Sequence, residues 1–390
     1  MSLYIVAWIG ICILGTKKYF LRVPNKVQQS EFIVIALVLT TMLSLRFGQG
    51  TDYFSYRTIY YSISSENISF SNYSGLHGEI GYLFLCNIFR YLDIPFEGFI
   101  FIISIFEIGL LFRFAKEFEI CTPEIFIIAY PTLYMTYFMS VIRQGLIIAI
   151  FLGIILPAWK KKEKGKVFLW VVICTLIHGT ALMFLTLFFV DRIGIRQVRY
   201  ICILMWGVGV LLTVPSVKRV FISFGIDALN YYMISGTSIR PIAIAERLTG
   251  ICFATYMFSI VKKKGDSTEE YSRLYKCYLI TMSSYGLFLG YESIATRLSG
   301  IMRFVEVYLF IMGIQKSKKL NKRILILILT AFETMMLAKN INSYIEQGNY
   351  YNDKNIFSYK YVSIFNEEKI FKIRNVEKKY LLQDEIDKDY

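Results

Sequence analysis

The chain carries little charge for its size. Of its 390 residues, 18% are Asp, Glu, Lys or Arg and 55% are hydrophobic, where a soluble domain has about a quarter charged. That shortfall excludes a water-soluble enzyme. Histidine is scarcer still, with two in the chain. Neither His77 nor His178 stands in a spacing that holds a metal, so no metal and no cofactor is expected. No Gly-x-x-x-x-Gly-Lys-Ser/Thr stretch occurs, so nothing supports ATP-driven transport. No Asp-x-Asp pair stands at a loop edge between apolar runs, as a metal-held nucleotide sugar would ask. The seven cysteines form no C-x-x-C; nearly all lie in apolar runs and read as small buried hydrophobes. An internal repeat, the mark of many transporters, is also missing.

What is present is a series of apolar runs of about membrane-spanning length. They lie near 3–21, 31–46, 98–115, 124–141, 144–159, 167–190, 199–215, 243–261, 274–290, 298–315 and 323–339, with a short interrupted one at 79–94. Their continuity, as in Ile147–Leu156 and Phe168–Ile177, excludes a β-barrel, whose strands alternate. The expected fold class is all-α: a polytopic integral membrane protein of about 11–12 transmembrane helices plus one short interfacial or re-entrant helix. Residues 1–340 are expected to form the membrane domain and 341–390 a polar tail. Lys17 and Lys18 follow the first run instead of preceding it, so that run is expected to stay as a membrane helix and not to be cleaved.

The net charge of +14 is an orientation signal, not a nucleic-acid one. Lysines and arginines cluster at 17–26, 160–166, 262–264 and 316–323, and all four clusters should be cytoplasmic. The run 160–166 reads as a solvated loop meeting anionic lipid heads. Crossings between clusters must then be even in number. Five runs separate the first two clusters, so one fails to cross, and 79–94 is the weakest. Span 167–190 restores parity between the next two if it breaks near His178–Gly179. Segments 46–78, 216–242 and 291–297 fall on the outer face, and the tail is expected there too.

An ionisable group in hydrocarbon costs a few kcal/mol or more, about 2.5–3.5 on insertion scales, so those that occur are site candidates. Arg46-Phe-Gly-Gln-Gly50-Thr51-Asp52-Tyr53-Phe-Ser-Tyr56 follows an apolar run directly. Arg46 offers a planar fork for phosphate oxygens, and Asp52 is suited to orient a sugar hydroxyl or act as a base. An Arg–Asp pair closing a helix end, with Tyr53 and Tyr56 in an interfacial belt, is the plainer alternative. Glu79 opens the non-crossing run, where a helix dipole alone would favour it. Arg143 and Gln144 lie between two runs with almost no loop, which argues for a buried arginine over a snorkelling one. His178 sits in mid-run, where a hydrogen-bonded helix contact is commoner than a catalyst. Arg240, Glu246, Arg247, Glu292, Arg297 and Arg303 mark the later runs, with structural salt bridges as the alternative. Arg46, Arg143, Arg240 and Arg297 converge on the outer half, which separate structural pairs would not require.

In order, Arg46…Gly50-Thr51-Asp52-Tyr53-x-x-Tyr56, Glu79-x-Gly81-Tyr82, Ile142-Arg143-Gln144-Gly145-Leu146, His178-Gly-x-Ala181-Leu182, Arg297-Leu298 and Tyr359-Lys-Tyr361-Val-Ser363-Ile-Phe365 resemble the motif set of the EpsG/Wzy-type O-antigen and exopolysaccharide polymerases. The resemblance runs from about residue 40 to residue 365; the sequence departs from it at Gly179 and Thr180, where the family often has a second His or a Ser. It implies a GT-C-like polymerase architecture in the bacterial inner membrane with the active site facing outward. It implies a glycosyltransferase whose substrate is an oligosaccharide repeat unit linked to undecaprenyl pyrophosphate. Membrane lipid, a chain-length regulator and a flippase would be partners, and nucleic acid would not. Asp52, Glu79 and His178 become candidate catalytic groups, with an acid favoured over His178 as the base. Arg46, Tyr53, Tyr56, Arg143, Gln144, Arg247, Arg297 and Arg303 become candidate substrate- or pyrophosphate-binding residues. An O-antigen ligase, another lipid-linked glycosyltransferase and a flippase are the alternatives. The modest outer loops favour a polymerase over a ligase.

Overall fold

The computed structural model describes residues 2–217, 239–265, 269–351 and 353–376. The expected outer loop 216–242 lies almost wholly outside the described residues. Helices dominate the rest: α1 (Leu3–Thr16), α2 (Asn25–Ser44), α3 (Tyr53–Tyr61), α4 (Ile80–Tyr91) and α5 (Phe96–Glu117). Next come α6 (Ile125–Phe138) and α7 (Ile142–Lys160). Then follow α8 (Lys164–Ile177), α9 (Gly179–Val190) and α10 (Ile195–Leu212). The last are α11 (Pro241–Lys263), α12 (Glu269–Leu287), α13 (Glu292–Arg303), α14 (Glu306–Lys316) and α15 (Lys319–Gln347). Among the described residues the β pairing is confined to two isolated antiparallel bridges, Arg46 with Ser363 and Tyr350 with Arg374.

Local chemistry sets many of the boundaries. Pro24 and Pro95 stand just before α2 and α5 and Pro241 opens α11, positions where a missing N–H leaves no helical bond unmade. Glu269 and Glu270 sit in the first turn of α12, and Lys262 and Lys263 in the last turn of α11; both complement the helix dipole. Span 167–190 breaks at the expected place. Helix α8 ends at Ile177, and Gly179 begins α9, which is 3₁₀ as far as Thr186. The 79–94 segment is the short helix α4, 12 residues long.

The chain is an all-α, multi-pass membrane protein. Six described helices (α2, α5, α7, α10, α11 and α15) are long and apolar enough to cross a bilayer. A seventh span arises if α13 and α14, bent by 53°, are taken as one. Among the described residues, helix length alone supports six or seven of the 11–12 crossings expected from the apolar runs. Helices α1 and α8 have 14 residues each, which rise about 21 Å, short of a hydrocarbon core of about 30 Å. Helix α12 is long enough, but Glu269, Glu270, Arg273 and Lys276 lie along it.

Two compact units divide the chain. Unit 1 comprises Met1–Pro157, Val172–Gly179 and Lys322–Tyr390; unit 2 comprises Ala158–Val171 and Thr180–Asn321. In unit 1, α5 packs on both α2 and α7, and α1 packs on α6. Most of α6 is wound as a wide π-helix, Ala129–Phe138. Pro131 lies within it, and its carbonyl accepts a hydrogen bond from Asn340 Nδ2 of α15 at 2.6 Å. In unit 2, α12 packs on α10 and α13, and α11 packs on α14.

Candidate functional site

The site in unit 1 is built by a close approach of two helices. A Cβ on Gly81 of α4 would come within 2.7 Å of the Leu176 carbonyl near the end of α8. Glycine alone permits that contact. It brings the start of α4, where Glu79 stands, up to the end of α8, where His178 follows. Glu79 Oε1 lies 3.3 Å from His178 Nδ1 and accepts the Gly179 N–H at 3.2 Å. Glu79 Oε2 accepts from Arg143 Nη1, the first-turn arginine of α7. Three residues far apart in sequence thus form one constellation.

Aromatic rings wall it. The Arg143 guanidinium lies 5.7 Å from the ring centroids of both Tyr56 and Tyr82, within cation–π range. Those two rings meet edge to face at 5.8 Å. Glu79, Arg143 and His178 are all part-exposed, while Tyr56, Tyr82 and Gln144 are buried. Arg143 Nε–H has no acceptor among the described residues. Burial works against ionisation of Glu79, but Arg143, His178 and the Gly179 N–H together hold its carboxyl below the usual range. It is a carboxylate at neutral pH. Burial pushes the Tyr56 hydroxyl up, Arg143 notwithstanding, so that ring stays neutral.

The Arg46 motif is arranged differently. Arg46 is 2% exposed, and its guanidinium donates to the Leu43 carbonyl, to Ser104 Oγ at 3.2 Å and to the Phe138 carbonyl at 3.0 Å. It ties α2, α5 and α6 together. Asp52 is part-exposed at the start of α3, and Tyr53 beside it is fully buried.

Arg247 and Arg303 belong to a separate cluster in unit 2. Arg303 donates to Glu246 Oε1 at 2.7 Å and to Glu306 Oε1 at 2.9 Å, and Arg247 pairs with Glu246. The bend after α13 creates this geometry. It sets an arginine in the last turn of one helix against a glutamate in the first turn of the next, as both dipoles favour. All four side chains are buried, and Arg247 covers the Tyr285 ring at 5.1 Å. Arg297 is exposed on α13, and Arg240 meets Glu292 at 2.7 Å.

The geometry thus joins Glu79, Arg143, His178 and Tyr56 with Gln144 adjoining. Arg46 and Tyr53 are buried in unit 1, and Arg247, Arg297 and Arg303 belong to unit 2. Two participants escaped the candidate residues drawn from the sequence. Tyr82, the second wall of Arg143, stood in a quoted motif but was given no role. Arg374 donates to the carbonyls of Gly48, Gly50 and Thr51, and nothing in the polar tail marked it out.

A family model described as the EpsG family matches residues 31–361. No curated protein and no solved structure matches the chain.

Proposed function

Because the chain belongs to the EpsG family, we propose that it is a polysaccharide repeat-unit polymerase that uses a lipid-linked donor. The substrate is an oligosaccharide unit on undecaprenyl pyrophosphate at the outer leaflet of the bacterial inner membrane. The growing chain leaves its carrier and joins the non-reducing end of a new carrier-linked unit. The acceptor oxygen forms a bond to the anomeric carbon, the bond from that carbon to the pyrophosphate oxygen breaks, and carrier pyrophosphate departs. The hydroxyl proton goes to the base. No outside energy source is needed.

The observation that carries this reading is the Glu79–Arg143–His178 constellation. Departure of pyrophosphate concentrates negative charge, and a fixed guanidinium stabilises it. Arg143 is fixed by Glu79 and by two rings, and its side chain keeps partial exposure. The base assignment moves from an acid to His178. Both Glu79 oxygens already have partners, so Glu79 serves better as an orienting group. It holds the proton on His178 Nδ1, which leaves Nε2 as the basic nitrogen. Asp52 is suited to orient the acceptor sugar.

The test is a surface-glycan gel of the host with this gene deleted and then complemented. A polymerase deletion leaves one repeat unit attached and removes the ladder. Complementation with Arg143→Ala at matched protein level should fail to restore it. Loss of every attached unit, including the single one, would sink the polymerase reading in favour of a ligase or flippase.

A further inference from the structure

The loop that delivers Asp52 and Tyr56 is not held by its own neighbours in sequence. It is laced down by a distant segment of unit 1. Residues 45–51 run between α2 and α3, with Gly48 at φ +64° and Gly50 at φ +93°, a backbone that ordinary residues resist. Across it lies the stretch 359–374. The Phe47 N–H donates to the Val362 carbonyl and the Ile364 N–H to the Leu45 carbonyl, each at 3.0 Å. Gln49 Nε2 donates to the Lys360 carbonyl at 2.6 Å. Arg374 closes the lacing with three bonds of 2.8–2.9 Å to the carbonyls of Gly48, Gly50 and Thr51. Its guanidinium is sandwiched between Phe54 at 5.1 Å and Tyr350 at 5.5 Å. Arg374 is 6% exposed.

Three loop carbonyls converging on one buried cation is a costly arrangement to leave half made, since each would otherwise be desolvated without a donor. The next residue after this clamp is Asp52, and one turn into α3 is Tyr56, the wall of Arg143. The family match ends at residue 361, so Arg374 itself lies beyond the matched segment.

We propose that residues 359–374 form a strap that sets the catalytic loop, with Arg374 as a positioning residue for the polymerase reaction. Arg374 acts through the loop, never on the sugar. Removing it lets residues 48–52 relax, displaces Asp52 and shifts Tyr56 away from Arg143. Substrate binding, which draws on the whole lipid-linked unit, changes little, but the reacting geometry is lost. The inference rests on the polymerase reading.

The experiment uses full-length protein in detergent and carrier-linked repeat units extracted from the host strain lacking this gene. Arg374→Ala and Ile364→Pro are compared with wild type for kcat, KM, thermal midpoint and amide exchange. The second variant removes a strap N–H at a distance from Arg374. Both are expected to lower kcat about 10- to 100-fold, in line with what misplacement of about 1 Å costs. KM should stay within about twofold, as when only transition-state contacts are lost. Amide exchange should quicken over residues 47–61 and stay unchanged in α11–α14. Arg374→Lys should recover part of kcat. An active wild type with unchanged kcat in both variants would overturn the positioning role alone. A raised KM at constant kcat would overturn it in favour of direct substrate contact by Arg374. Activity lost only in proportion to unfolded protein would make the strap purely structural. A wild type that builds no ladder would remove the polymerase reading and the positioning role together.

Discussion

Units 1 and 2 each hold a cluster of arginine and glutamate, and the two clusters differ in charge balance and in exposure. In unit 2, Glu246, Arg247, Arg303 and Glu306 form a sealed set of two cations and two anions, all buried. In unit 1, Arg143 has one carboxylate partner, two aromatic walls and partial exposure. A buried charge removed from water must be fully paired or it destabilises the fold. A charge that serves chemistry must keep something back for the transition state. The contrast separates scaffold from site better than residue identity does, for Arg46, Arg247 and Arg303 looked as catalytic in the sequence as Arg143.

The contrast can be broken most severely in unit 2. Arg303→Met should destabilise the protein by about 3–5 kcal/mol, because Glu246 and Glu306 lose their shared cation in the interior. Combining it with Glu246→Gln and Glu306→Gln should recover much of that loss. Thermal melting in detergent reads both, and a single variant as stable as wild type would mean the cluster is wet. Next in size, Arg143→Ala should cost about 100- to 1,000-fold in kcat with little change in melting, the reverse of Arg303→Met. Equal loss of stability in the two would erase the distinction.

Smaller effects sharpen the picture of unit 1. Gly81→Ala pushes α4 off the Leu176 carbonyl and should cost about 1–3 kcal/mol by overpacking, together with a fall in kcat as Glu79 parts from His178. Wild-type activity in that variant would show that the close approach is incidental. The smallest effect is pH-linked. The carboxyl of Glu79 is held below its ordinary value, so its contribution to stability is complete above the unfolded carboxylate pKa of about 4.3 and fades as pH falls through the folded value. The stability gap between wild type and Glu79→Gln should therefore be constant at neutral pH and narrow in acid. A gap that widens in acid would contradict the ion pair with Arg143.

Much of this was legible in the residues. A run as long as 167–190 had to bend somewhere, and Gly179 after a lone histidine is where it does. The short 79–94 run became a helix too short to cross, and Arg143, in a turn with almost no loop, became the partner of Glu79. Helix lengths were less legible, because an apolar run records burial in lipid or protein alike and says nothing of a 53° bend or a 3₁₀ stretch. The partners of Arg247 and Arg303 were visible as acids nearby, but pairing is a matter of helix direction. Arg374 was invisible: its meaning lies in three carbonyls, which every sequence has.

The strap also puts a clock on the newborn protein. Arg374 and Thr51 are 323 residues apart, and translation proceeds at about 5–20 residues per second, so roughly 16–65 s separate their synthesis. Through that interval the loop carrying Asp52 already exists and its clasp does not. The chain therefore enters the membrane with this loop unclasped, and the loop can close only after helices α1–α15 have been made. A product truncated before Arg374 would keep every helix named above and lack the clasp of the loop that carries Asp52.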